Sequence, residues 1–298
     1  MHIPVLLQET VEALAPFEKG VYVDCTVNRG GHSKVLLSSL PIGSTLICID
    51  LDAVALGEAE KALVLLAEER EVKTIFVQDN FRNIQDILKK NNFTKVSGLI
   101  ADLGVSSEEL DSSERGFSFR YDEPLFMTLK NNPTEEDLTA RDVVNTWSYE
   151  TLSSVIYSFS DEKYSRRIAR EIIKTREETP ITTTFELISA IQRAIPRKDQ
   201  FGKTHFATKT FQAIQMSVND ELGSLKDLLL SLPIILEKER RASIITFHST
   251  EDRMVKQEVR NLPEELTFVS KKAIMPSDIE IKKNPRSRSA QLRIIEKI

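Results

Sequence analysis

Over the first hundred residues the apolar and polar positions alternate between two patterns. Val21 to Val23, Thr45 to Ile49, Val72 to Val77 and Val96 to Ala101 are short apolar runs rich in β-branched residues and bounded by turn residues, the pattern of strands buried on both faces. Between them lie segments of helical spacing: Ser33 to Leu40, a stretch with Ala55, Ala59, Ala62 and Leu66 on one face behind a capping Asp52, and roughly Ile84 to Lys90. A shorter helical pattern around Glu9 to Leu14 precedes the first strand and stops near Pro16. Strand–helix alternation predicts an α/β protein with a parallel sheet, and right-handed crossovers place the carboxyl ends of all its strands on one edge.

From about Leu138 to Gln215 the alternation stops. Ala140 to Asn145, Tyr149 to Phe159, Glu162 to Thr175, Thr184 to Ala194 and Ala207 to Val218 all read as helices, with no convincing strand between them. A helix from Leu222 to Leu232 and a strand from Ala242 to Phe247 then restore the first pattern, and a strand around Arg293 closes the chain. The expectation is a helical domain of residues 123–210 inserted into a sheet domain of residues 1–122 and 211–298. The segment from Val105 to Arg120 mixes polar residues with Leu110, Phe117 and Phe119, which suits an ordered loop better than a flexible spacer.

Composition narrows the function classes. At 41% hydrophobic and 29% charged residues the chain reads as an ordinary globular protein. No apolar run approaches the roughly eighteen residues of a membrane span, and the amino-terminal residues lack the basic-then-apolar order of a secretion signal, so a cytoplasmic location and no membrane partner are expected. A net charge of −5 argues against a protein that coats nucleic acid indiscriminately. Cys25 and Cys48 adjoin strand ends and suit buried free thiols better than a disulfide or a metal cluster. No metal site is expected, because no metal-ligand motif is present; P-loop and serine-hydrolase motifs are missing too.

The candidate chemistry gathers on the strand ends. The first strand reaches Asp24 and runs through Asn28-Arg-Gly30-Gly31-His32 into a helix; only 10 glycines occur in 298 residues, and two stand side by side here, as where a backbone turns sharply or approaches a ligand. Asp50 ends the next strand about twenty residues on, where a carboxylate accepts from the two hydroxyls of a ribose. Phe81 offers an aromatic face to a planar ring, or else anchors a helix to the core. Asp102 ends the fourth strand and His248 the fifth, on the same expected edge. The loop lacks the G-x-G-x-x-G spacing of a pyrophosphate site, which disfavours a nicotinamide oxidoreductase and favours S-adenosylmethionine. Two basic groups remain: Arg166, Arg167, Arg170 and Arg176, and Lys282-Lys283 with Arg286, Arg288 and Arg293. The second is the better nucleic-acid footprint, since guanidinium groups suit phosphate and base edges.

Several segments in order resemble one family along almost the whole chain: His2-Ile-Pro-Val-Leu-Leu-Gln-Glu9, Asp24 to Ser33, Asp102-Leu-Gly-Val-Ser-Ser107, Arg115-Gly-Phe-Ser-Phe-Arg120, Thr210-Phe-Gln-Ala213, Val218-Asn-Asp-Glu-Leu222, Phe247-His-Ser249, Glu251-Asp-Arg253 and Asn284-Pro-Arg-Ser-Arg-Ser-Ala290. They resemble the RsmH (MraW) methyltransferases, which methylate N4 of a cytidine in small-subunit (16S) ribosomal RNA with S-adenosylmethionine. The resemblance implies a Rossmann-like class I methyltransferase sheet with an inserted helical domain. It implies that Gly30, Gly31 and His32 line the methionine and ribose side of the cofactor, that Asp50 holds the ribose, that Phe81 packs near the adenine, and that Asp102 and Glu109 approach the donor. Asp102 and His248 are then the candidate catalytic residues, and ribosomal RNA or the assembling 30S particle, with a homodimer as a further state, the expected partners. Asn28 replaces a glycine of the family loop, Phe126 and Thr128 replace an aspartate and an arginine, Phe206 a proline and Gln215 an arginine. Those departures keep a second reading open: a family member with weak or no catalysis that serves ribosome assembly or regulation.

Overall fold

The computed structural model describes residues 3–15, 17–104, 114–202 and 204–298. A short helix α1 (Leu7–Glu12) leads into an alternating series: β1 (Val21–Asp24), α2 (Gly31–Ser39), β2 (Thr45–Asp50), α3 (Ala53–Glu69), β3 (Lys73–Gln78), α4 (Ile84–Lys90) and β4 (Val96–Asp102). Among the described residues, five helices follow: α5 (Ala140–Thr146), α6 (Tyr149–Ser160), α7 (Ser165–Glu178), α8 (Thr184–Ala194) and α9 (Thr208–Val218). The chain then returns to the sheet through α10 (Glu221–Ile235), β5 (Leu236–Thr246), α11 (Ser249–Asn261), β6 (Leu266–Phe268), α12 (Asp278–Lys283) and β7 (Gln291–Lys297).

The strands form one seven-stranded sheet in the order β3-β2-β1-β4-β5-β7-β6. The first five are parallel neighbours, and β7 runs antiparallel between β5 and β6. The order reverses at β1, where β2 lies on one side and β4 on the other, and such a switch opens a crevice at the carboxyl ends of the strands. This is the Rossmann-like α/β sheet that the alternation implied. Apolar residues fill both faces. Val23, Ile47, Ile49, Leu99 and Ala101 pack with Leu225, Leu228 and Leu232 of α10 on one side. Tyr22, Leu46, Cys48 and Ile100 pack with Leu36, Leu37, Ala59 and Leu63 on the other, as period-2 alternation requires of a sheet covered twice.

Local signals explain most boundaries. Asp52 caps α3 by accepting from the amides of Val54 and Ala55 at 2.9 Å. Thr139 and Thr183 each form a capping box, with Asp142 and Glu186 three residues on. The face of α3 differs from expectation. Leu56, Ala59, Leu63 and Ala67 are buried, not Ala55, Ala62 and Leu66, which are partly or fully exposed. A shift of one residue in phase puts Leu56 and Leu63 into the core in place of the smaller Ala55 and Ala62, an exchange that removes more apolar surface from water.

Two compact units divide the chain: Met1–Gly104 with Leu222–Ile298, and Val105–Glu221. The expected division at 122/123 and 210/211 therefore falls inside the second unit. Packing accounts for this. Phe117 upstream, and Phe211 and Ile214 downstream, are buried in the same cluster as Val143, Ile156, Ile168 and Leu187. The Gly116 amide also donates to the Glu123 carboxylate at 2.9 Å, and Asn219 Nδ2 donates to the Met127 carbonyl at 2.8 Å.

Candidate functional site

The site lies in the sheet-bearing unit, at the carboxyl ends of β1, β2, β4 and β5. After β1 the chain turns through Asn28 at φ 47° and Gly30 at φ 81°, left-handed backbone that asparagine tolerates and glycine adopts without cost. Gly30 is also the cap of α2, and a Cβ on it would press on Leu63 at 3.1 Å. Gly31 has ordinary backbone but no room, because a Cβ would lie 2.3 Å from Cγ of Pro4. The glycine pair therefore answers to two demands, one torsional and one steric.

Asp50 closes this loop from below. Its Oδ2 accepts from the amide of Asn28 at 2.8 Å and its Oδ1 from the amide of Asp52 at 2.9 Å. The residue thus ties the loop after β1 to the loop after β2 at the strand ends. Phe81 begins a short 3-10 turn after β3, which Asn80 caps by accepting from the Arg82 amide at 2.9 Å. Its ring is partly buried against the core under α10. Glu109 lies outside the described residues.

Three ionisable groups converge between β1 and β4. Asp24, 1% exposed, accepts from Ser33 Oγ at 2.7 Å, and burial raises its pKa. Asp102 ends β4, with its amide donating to Thr26 Oγ1 at 2.7 Å. Burial is the main cause that raises its pKa from the ordinary 3.8 to about 6; Asp24 and Glu251 add to the rise and His32 opposes it. His32 is buried, with Nε2 donating to the Val5 carbonyl at 2.9 Å and Nδ1 3.7 Å from Asp102 Oδ2. The other carboxylate oxygen of Asp102, Oδ1, is buried and has no hydrogen-bond partner among the described residues. A buried acceptor left without a donor costs about 1–3 kcal/mol, and such an atom at a sheet's binding edge is where a ligand's donor belongs.

His248 ends β5 and starts α11, its Nε2 3.0 Å from Oε1 of Glu251. Glu251 is buried and also accepts from the amide of Phe247 at 2.9 Å. Sequence reasoning assigned no role to Thr26, Glu251 or the Val5 carbonyl. The spacing of His248 and Glu251, three residues apart at a helix start, was the one readable signal; a backbone carbonyl leaves none.

The basic footprint near the carboxyl end needs a correction. Lys282, Lys283, Arg286 and Arg288 are exposed, but Arg293 is 7% exposed. It donates through Nε to Asp252 at 2.5 Å, and its guanidinium sits over the Phe268 ring at 5.5 Å. It sits within β7, where its side chain faces α11 rather than solvent. Arg176 likewise donates to the carbonyls of Val144 and Trp147 at 2.9 and 2.8 Å, which makes it a tie inside the helical unit, whereas Arg166, Arg167 and Arg170 are exposed. Both cysteines are buried free thiols.

A parallel sheet of this strand order, with an antiparallel strand between its last two and a glycine loop and acidic strand ends at its edge, defines a class I methyltransferase domain. The sequence profile of the MraW methylase family matches residues 1–298, and the chain belongs to that family, the RsmH family. Among solved structures, an rRNA methylase from Streptococcus thermophilus is similar at 13% identity and a TM-score of 0.43, covering 100% of this chain and 99% of that one. A methyltransferase homolog from Pyrococcus horikoshii is similar at 11% identity and a TM-score of 0.47, over 100% and 68% of the two chains. A candidate methyltransferase from Streptococcus mutans, solved in complex with SAH, is similar at 14% identity and a TM-score of 0.41, over 99% of each.

Proposed function

We propose that this protein transfers the methyl group of S-adenosylmethionine to N4 of a cytidine in small-subunit (16S) ribosomal RNA, free or in the assembling 30S particle. Family membership makes the chain a methyltransferase and S-adenosylmethionine its methyl donor. The observation that carries the finer reading is the buried Oδ1 of Asp102 beside the glycine loop, which has no hydrogen-bond partner among the described residues. The residues present fit the cofactor: Gly30 and Gly31 give close backbone approach, and Asp50 is a carboxylate at the end of β2, where a ribose diol is held. When bound, the cofactor supplies an electrophilic methyl group on sulfonium sulfur.

The chain's part is to prepare the nucleophile. The lone pair of a cytosine amino group is delocalised into its ring, so N4 must be turned and its hydrogens held before it attacks. Asp102 Oδ1 accepts one N4 hydrogen, which directs the remaining lone-pair density toward the donor methyl. As the N–C bond forms and the C–S bond breaks, N4 becomes positively charged and releases a proton, for which the ionised Asp102 is the adjacent base. A base must leave its stack to reach this depth, and the exposed Lys282, Lys283, Arg286 and Arg288 suit the phosphates that follow it. Asn28, the departure inside the loop, keeps the backbone geometry and the Asp50 contact, so it gives no support to a non-catalytic family member.

Tritiated methyl transfer to immature small subunits, with nucleoside analysis of the product, tests the reading. Label in N4-methylcytidine is expected. Cofactor binding without transfer to any assembly state, or label on another atom, would overturn it.

A further inference from the structure

The imidazole of His32 is held at Nε2 and faces Asp102 through Nδ1. A carbonyl only accepts, so the contact with Val5 puts a proton on Nε2. Nδ1 then faces Asp102 Oδ2 at 3.7 Å, within ion-pair range and beyond hydrogen-bond length. The imidazole thus faces Oδ2, while Oδ1 is the oxygen with no hydrogen-bond partner among the described residues.

The residues that face Asp102 agree with this division. Asp24 on β1 and Glu251 on α11 press on the carboxyl with like charge, while His32 on α2 is the neighbour that favours its ionised form. The ring itself hangs on residues 3–6, which other elements hold in turn. The amide of Leu6 donates to Glu280 Oε1 at 2.8 Å, Asn284 Nδ2 donates to the Ile3 carbonyl at 3.2 Å, and Pro4 fills the space above Gly31.

We infer that His32 is a positioning residue for the transfer reaction. Suspended from the Val5 carbonyl, it engages Oδ2 of Asp102 and so presents Oδ1 as the acceptor for the substrate amino group. This rests on the proposed N4 transfer for its consequence, although the coupling between the two side chains stands apart from it.

Two variants separate the two nitrogens, because a glutamine amide reaches the Nε2 position and an asparagine amide the Nδ1 position. The Asp102 carboxyl would be followed by carbon-13 NMR in the cofactor-free full chain as a function of pH, alongside the pH profile of methyl transfer. His32→Gln, which keeps the Val5 bond and removes the group facing Asp102, is expected to move the Asp102 midpoint upward by about one pH unit. The acid limb of the rate profile should move with it. His32→Asn restores a donor toward Oδ2 and should return both part of the way. In the unsubstituted protein, the nitrogen-15 shift of His32 Nδ1 should change at the Asp102 midpoint. That last readout needs no variant, so it decides the matter even if both substitutions unfold the chain. An Asp102 midpoint unmoved by His32→Gln, or an Nδ1 shift indifferent to Asp102 ionisation, would overturn the inference. If the couplings appear but no RNA is methylated, the proposed function fails and the positioning contact stands.

Discussion

At the residue scale, Asp102 shows a conflict between stability and chemistry. An acid whose pKa is raised in the folded state is held there at a cost wherever it is ionised in both states. From 3.8 to about 6, the cost above pH 6 is about 3 kcal/mol; it shrinks as pH falls through 6 and vanishes below the unfolded value. Asp102→Asn is therefore expected to abolish methyl transfer yet to stabilise the fold at pH 8, with little gain at pH 4. Urea unfolding at the two pH values checks the sign, and an equal gain at both would reject burial as the cause. Methyl transfer itself should rise with pH through about 6 as Asp102 ionises. Asn28 gives a second test. Its φ of 47° suits asparagine or glycine, so Asn28→Gly should leave SAH affinity within about threefold, whereas Asn28→Val should cost about 1–2 kcal/mol of stability. Calorimetric titration and thermal melting separate these outcomes. Asp50 was readable as an acid at the right distance from the glycine pair; its bonds to the amides of Asn28 and Asp52 were not, because backbone donors carry no sequence signature.

At the element scale, the glycine loop depends on a partner remote in sequence. The Gly30–Gly31 pair was visible as a turn, but the reason for Gly31 is the Pro4 ring 2.3 Å from where a Cβ would be. Gly31→Ala should displace residues 3–6, destabilise the chain by about 1–3 kcal/mol and weaken SAH binding, a joint loss that melting and calorimetry would register. Two arginines near the carboxyl end look alike in sequence and differ in place. Removing Arg293 leaves the buried Asp252 with Lys256 as its remaining cation among the described residues and should destabilise the fold by about 1–3 kcal/mol. Arg288→Ala should leave the melting temperature nearly unchanged while RNA affinity falls and the slope of affinity against salt decreases by about one. A salt slope equal to that of the unsubstituted protein would remove this loop from the RNA surface. Periodicity does not separate the two cases, since Arg293 alternates like any strand residue and only the facing Asp252 decides its burial.

At the scale of the whole molecule, β7 joins the sheet's last strands by pairing with β5 on one side and β6 on the other. Deleting residues 291–298 should leave β6 unpaired and open the edge of β5, which then pairs with β4 alone, and should prevent folding of the sheet unit, seen as loss of soluble protein and of cooperative melting. A cooperative transition in the truncated chain would contradict that expectation. The pattern of apolar positions determined by itself the α/β class, the parallel strands, the run of helices between β4 and β5, and the acids at the strand ends, because buried strands and amphipathic helices impose local periods. It did not determine β6 or α12, which are too short to show a period, nor the extent of the helical unit, which packing at Phe117, Phe211 and Ile214 decides. What only the tertiary structure decided is that Val5, His32 and Asp102 meet there, since their contact joins a carbonyl, a ring and a carboxylate drawn from three separate segments and no local rule links them.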